Sequence, residues 1–92
     1  MRIGFYATLR PIVGGKFVDV DLPAEASVAD LLEHLFERFP RLRGAMLGED
    51  GSLSRRIHIF LDGRGVVYLE DGIETALATA SRIDIFPAVA GG

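Results

Sequence analysis

Cysteine is absent from the 92-residue sequence, and this removes disulfides, thiolate metal sites and a cysteine nucleophile from consideration. Any sulfur the protein handles must come from elsewhere. A basic surplus is missing too. The formal net charge of −3 argues against a nucleic-acid binder, because neutralising phosphates needs a clustered positive surface. A neutral-to-basic partner surface is the more natural complement. No window approaches the roughly 20 apolar residues of a membrane-spanning helix. Met1-Arg2-Ile3-Gly4-Phe5 carries one charge and no apolar stretch long enough for a signal peptide. The expectation is a cytoplasmic protein that binds neither nucleic acid nor membrane. Internal repeats and low-complexity segments are also lacking, and the length suits one small domain with one core. Neither His34 nor His58 has a second ligand-type residue at metal spacing, so no metal site is expected.

Against these absences the hydrophobic pattern is clear. Ile3, Phe5 and Ala7 alternate with Gly4 and Tyr6, the period of a strand with one face inward, and predict a strand running to about Leu9. The stretch from Arg10 to Lys16 supplies a proline and the Gly14-Gly15 pair. Phe17-Val18-Asp19-Val20-Asp21-Leu22 then alternates again, so the first two strands read as a hairpin. Ser27 with Asp30 three residues later is a capping-box-like helix start. Val28, Leu31, Leu32, Leu35, Phe36 and Phe39 follow as one wide apolar stripe, on a helix that Pro40 ends. Asp30, Glu33, Glu37 and Arg38 fall on its solvated side.

From Pro40 to Ser54 the periodicity lapses, and the segment reads as a loop with a short helical turn around Ala45-Met46-Leu47. A third strand is predicted over Arg56–Leu61, closed by the turn Asp62-Gly63, and a short fourth over Val66–Leu69. A turn through Ile73–Leu77 leads to the last strand, Arg82–Phe86, which Pro87 stops. One helix with one stripe covers one face of one sheet, which is an α+β sandwich of two layers. A right-handed crossover between strands two and three suggests that strands one and five lie parallel in the centre.

The residues after Pro87 are the most informative. Ala88-Val89-Ala90-Gly91-Gly92 has small side chains and nothing ionisable but a terminal carboxylate, and glycine without a Cβ can be drawn through a narrow channel. Five residues extend by roughly 16–18 Å, enough to enter a partner's active site from a domain spanning residues 1–87. The order of elements and the run Ile85-Phe86-Pro87-Ala88-Val89-Ala90-Gly91-Gly92 together resemble the MoaD/ThiS family of ubiquitin-like (β-grasp) sulfur carriers, and in particular the small subunit of molybdopterin synthase. Phe5-Tyr6-Ala7, the helix after Ser27 and Ile59-Phe60-Leu61-Asp62-Gly63 extend the likeness over nearly the whole chain. This chain departs where it carries Asp62, a position at which many relatives have Asn, and Ala88, at which they have a second Pro.

An α-carboxylate with a pKa of about 3.5 is fully ionised at neutral pH and is a poor electrophile. The resemblance implies how it is activated: a ubiquitin-activating-type adenylyltransferase joins the Gly92 carboxylate to AMP from ATP. A persulfide-bearing sulfur donor then converts the acyl-adenylate to a thiocarboxylate. That group donates sulfur to a molybdopterin precursor held by the large synthase subunit. The carrier itself would be no enzyme and would bind no cofactor, ATP being used by its partner. Alternatives of the same kind deliver sulfur to a thiamine precursor or tRNA, or join the protein to lysines as a modifier. A β-grasp interaction module with an inert tail is the alternative of a different class.

Strand parity adds a surface. With Ile3, Phe5, Ile57, Ile59, Ile83 and Ile85 facing the helix, Tyr6, His58, Phe60, Asp84 and Phe86 point outward. Tyr6, Phe60 and Phe86 are expected to form an exposed aromatic patch beside Pro87, Ala88, Val89 and Ala90, and contiguous apolar surface marks a binding site. Arg41, Arg43, Arg55, Arg56 and Arg64 add a basic rim near the long loop. Gly14-Gly15 and Gly63-Arg64-Gly65 are read as turns, since neither lies on a strand-to-helix transition.

Overall fold

A computed structural model describes residues 1–78, 80 and 82–88. Strands β1 (Arg2–Phe5), β2 (Phe17–Asp19), β3 (Ile57–Leu61), β4 (Arg64–Gly65) and β5 (Arg82–Pro87) form one mixed sheet in the order β2-β1-β5-β3-β4. As the crossover argument required, β1 and β5 are parallel neighbours at its centre, with Phe5 beside Ile85, while every other pair is antiparallel. The helices are α1 (Arg10–Val13), α2 (Val28–Arg38) and α3 (Arg41–Met46). This is the β-grasp arrangement, a mixed sheet grasping one main helix.

The main helix α2 begins where the sequence places it. Ser27 accepts a hydrogen bond from the Asp30 amide at 3.1 Å, and the Asp30 carboxylate accepts one from the Ser27 amide at 2.9 Å, a complete capping box with Asp in the Glu position. Val28, Leu31, Leu32, Leu35 and Phe36 are buried against Ile3, Phe5, Ile57, Ile59, Ile83 and Ile85, the inward strand positions. Phe39 caps the helix and is half-buried, so the last member of the stripe packs at the core's edge.

Several boundaries differ from expectation, each for a local reason. The first strand stops at Phe5 instead of near Leu9, because Ala7 adopts a left-handed backbone (φ 52°) and turns the chain into a 3-10 turn at Ala7–Leu9 and then α1. The reversal sends Leu9 into the core, and Gly14 (φ 81°) ends α1 ahead of β2. β2 is three residues long rather than six. In the 40–54 segment the helical turn is a real helix, α3, placed a little earlier than expected; its Leu42 and Met46 are fully buried. The fourth strand is not Val66–Leu69. It is the two-residue β4 directly after the Asp62-Gly63 turn, where φ values of 47° and 83° suit a tight two-residue hairpin. Val66–Tyr68 is instead a 3-10 turn.

Candidate functional site: an aromatic face on the open side of the sheet

The side of the sheet away from α2 carries the residues that parity assigned to it. Tyr6, just beyond β1, stacks on Phe86 of β5 with ring centroids 4.0 Å apart and planes 14° apart. Phe60 of β3 meets Phe86 edge-on at 5.6 Å and 87°. The edge-on pair has a favoured aromatic geometry, while the stack is tighter than the usual centroid separation of about 4.5–7 Å. Because the rings cover one another they are half-buried, so the patch is a packed ridge rather than a freely exposed one. His58 is exposed beside it, and His58, Phe60, Gly63, Asp84 and Phe86 line an open depression of about 620 Å³.

Asp84 corrects the simple outward reading. It lies on the outward side of β5 but is only 8% exposed, because the Tyr6 hydroxyl and Arg82 close over it. The Tyr6 hydroxyl donates to Asp84 Oδ1 at 2.7 Å, and Arg82 Nε donates to Oδ1 at 3.1 Å and approaches Oδ2 at 2.9 Å. Arg82 Nη2 in turn donates to the Tyr6 oxygen at 3.1 Å. A carboxylate taken out of water needs such partners, and both oxygens have them. The guanidinium gains in return: its pKa is raised above the ordinary arginine value by the bond to Tyr6 first and by Asp84 second.

Two further residues hold the tyrosine ring. The guanidinium carbon of Arg10 lies 5.1 Å from the ring centre while its Nε donates to the Phe5 carbonyl at 2.8 Å. Beneath the ring sits Gly4: a Cβ there would come within 2.6 Å of Asp84 Oδ1 and 3.3 Å of Tyr6 Cε2 and its oxygen. The absent side chain is what lets the Tyr6 hydroxyl reach across β1 to β5. Nothing in the strand pattern identified Arg10, Arg82 or Gly4 as parts of this face; an outward-facing carboxylate between aromatic positions on a central strand was the only available signal.

Pro87 pairs with Ile57 and is half-buried, and the Ala88 amide donates to the Arg56 carbonyl, which continues the β3–β5 ladder by one residue. β5 thereby brings the start of the tail to the same sheet as the aromatic ridge. The predicted site residues Val89, Ala90, Gly91 and Gly92 lie outside the described residues. Of the arginines expected as a basic rim, all five are exposed, and Arg43 pairs with Glu33 at 3.1 Å. Among the described residues no group of three or more His, Asp or Glu could hold a metal ion, and no helix is long and apolar enough to cross a membrane.

A second apolar surface was not anticipated. Val67 and Tyr68 are 78% and 89% exposed and, with Ile73, border a groove of about 500 Å³ along β3. The run Val66–Leu69 concealed it, because as a strand it would have buried every second side chain. As a 3-10 turn it buries Val66 alone.

A β-grasp domain with a packed aromatic ridge beside its last strand fits the ubiquitin-like carriers and modifiers, small proteins that are not themselves enzymes. The sequence matches the ThiS family over residues 3–92, and the chain belongs to that family. It is 36% identical to a Haloferax volcanii protein named small archaeal modifier protein 3, over 100% of this chain and 98% of that one. Its fold matches the crystal structure of SAMP1 from Haloferax volcanii with a TM-score of 0.83 at 28% identity, covering 99% of this chain and 97% of that one. A chain in the crystal structure of the BexX/CysO complex from Amycolatopsis orientalis matches with a TM-score of 0.79 at 25% identity, over 99% and 98% of the two chains. Relatives of this chain are thus known both as named modifiers and within a complex with a partner protein.

Proposed function

We propose that this protein is a sulfur carrier whose Gly92 carboxylate is adenylated by a ubiquitin-activating-type enzyme at the expense of ATP and then converted to a thiocarboxylate. The sulfur comes from a persulfide donor, and the acceptor is a molybdopterin precursor held by a large synthase subunit. The observation that carries the reading is the family match extending through residue 92, which includes Gly91 and Gly92. The ridge of Tyr6, Phe60 and Phe86 serves as the docking face for activating and acceptor proteins, and Pro87, Ala88, Val89 and Ala90 lead the carboxylate into their active sites. In this division of labour the carrier supplies positioning, and its partners supply the chemistry.

Intact-mass measurement after incubation with ATP, a sulfide source and the adenylyltransferase tests the first step. A gain of about 16 Da on the C-terminal tryptic peptide, oxygen replaced by sulfur, is the expected result. A chain lacking Gly92 should fold normally and support no molybdopterin formation with the purified large subunit. Retained product in that truncation would sink the proposal.

A second reading, conjugation of Gly92 to lysines of other proteins, is favoured by the full-length similarity to a protein named as a modifier. Activation is the same in both readings. They separate in tryptic digests of cell extract, where conjugation leaves the segment Ile83–Gly92 attached to substrate lysines.

A further inference from the structure

The groove along β3 is more than an exposed apolar patch, because its floor is an unfinished strand edge. β3 pairs with β5 over all five of its residues, yet β4 pairs with Phe60 and Leu61 alone. The Ala88 amide donates to the Arg56 carbonyl and the Asp62 amide to the Arg82 carbonyl, so the backbone groups of the even-numbered positions face β5. Those of Ile57 and Ile59 face the other way, by the alternation of an antiparallel ladder. The Ile57 amide is taken by the Ser54 carbonyl at 3.1 Å. The Ile57 carbonyl and the Ile59 amide face the groove, and among the described residues no strand lies beside them on that side.

Two segments border this edge. Ahead of β3, Ser54 anchors a tight turn: its amide donates to the Met46 carbonyl at 2.8 Å, and its hydroxyl accepts from the Arg56 amide at 3.2 Å. Arg55 occupies the first corner of that turn. It lines the groove, it is exposed, and among the described residues no carboxylate pairs with it. After β4, the second border presents the apolar side chains of Val67, Tyr68 and Ile73. The charged neighbours of these residues in the sequence, Glu70, Asp71 and Glu74, are exposed and of the opposite sign to Arg55. Among the described residues no Asp or Glu lines the groove itself.

We propose that this groove takes an extended segment of a partner protein, laid along residues 57–59 as an added strand, with apolar side chains against Val67, Tyr68 and Ile73 and a carboxylate at Arg55. Main-chain hydrogen bonds to Ile57 and Ile59 supply affinity, and alternate side chains supply selectivity. Charge chooses the segment: a carboxylate meets the unpaired guanidinium, whereas a basic residue in its place sets two cations against each other. The groove shares His58 and Phe60 with the depression beside the aromatic ridge, so a partner seated on the ridge reaches the groove without leaving the surface. The inference does not depend on the activation of Gly92.

An NMR titration of the full chain tests it, with the blocked peptide acetyl-Gly-Val-Ile-Val-Asp-Glu-amide and a counterpart ending in Lys-Lys. The acidic peptide should shift the amide signals of Ile57, Ile59, Val67 and Tyr68 and slow hydrogen exchange at the Ile59 amide. Arg55→Glu should weaken the acidic peptide by about tenfold and favour the Lys-Lys peptide. Val67→Asp, at another exposed position, should weaken both while leaving the core signals unmoved. Equal binding of the two peptides, acidic-peptide affinity unchanged in Arg55→Glu, or shifts confined to Tyr6 and Phe86 overturn the proposal. Groove signals that move with protein concentration and not with peptide also overturn it, making a second copy the occupant. Groove signals unmoved by the acidic peptide at about 1 mM overturn it as well.

Discussion

Replacing Gly4 with alanine is expected to destabilise this domain far more than one methyl group on a strand normally does. The new Cβ would stand 2.6 Å from Asp84 Oδ1 and 3.3 Å from two atoms of Tyr6, so either the carboxylate or the ring must leave. If Tyr6 leaves, a hydrogen bond to a charged and nearly buried acceptor is lost, worth about 1.5–3 kcal/mol. The stack on Phe86 goes with it, worth about 0.5–1.5 kcal/mol. Gly4 is not in a left-handed conformation, so alanine suits its backbone and returns about 0.5–1 kcal/mol. The net loss is about 1–4 kcal/mol, which for a domain of this size lowers Tm by roughly 4–30 °C. Urea unfolding followed by circular dichroism measures it, and a cycle with Tyr6→Phe tests the cause. Removing the hydroxyl first should make the alanine substitution markedly less costly, because contacting residues do not act additively. Wild-type stability in Gly4→Ala, or strict additivity with Tyr6→Phe, would refute the role assigned to this glycine. Binding to the proposed activating enzyme should weaken in step, since the same displacement disorders the ridge.

Other parts of the fold carry their own tests. Ser27→Ala removes half of the capping box on α2 and should cost about 1 kcal/mol in urea unfolding; Ser27→Asp should recover most of it. Leu42→Ala empties a fully buried position in α3 and should cost about 2–5 kcal/mol, whereas an exposed loop at 41–46 would tolerate it. Asp50 is held below its ordinary pKa of 3.8 chiefly by the Ser52 hydroxyl and then by the Ser52 amide. A lowered folded pKa means that its contribution is present above 3.8 and disappears as pH falls through the lower folded value. Ser52→Ala should move the Asp50 titration upward in an NMR experiment, and an unmoved titration would remove the hydroxyl from the explanation.

Much of the architecture was legible because it rests on repetition. Ile3 and Phe5, Ile57 and Ile59, and Ile83 and Ile85 each repeat at period two, and the stripe from Val28 to Phe36 repeats at helical spacing. These are the residues that share the core. Features that depend on one backbone angle were not legible. Ala7 has no sequence mark of a left-handed residue, yet it ends β1 and directs Leu9 inward. Gly44 and Gly48 made residues 40–54 look like a loop, although Leu42 and Met46 four residues apart are a helix's inward pair. The aromatic face was found by parity, but the network under it was not. Whether Asp84 is solvated depends on how far Tyr6 leans, and that depends on what is missing at position 4.

The parallel pairing of β1 with β5 has a consequence for how the protein comes into being. The two strands at the sheet's centre lie at opposite ends of the sequence, with Ile3 level with Ile83 and Phe5 with Ile85. A chain emerging from the ribosome can form α2 early, but it cannot close its core until β5 has been made. Contacts so distant in sequence slow folding, and they also order events. β5 follows every other element in sequence, so the ridge, which takes Phe86 from it, is the last feature of this face to be assembled. A partner that reads the ridge of Tyr6, Phe60 and Phe86, which needs β1, β3 and β5 all in place, would therefore pass over unfolded copies, so the topology makes recognition of this face a test of folding.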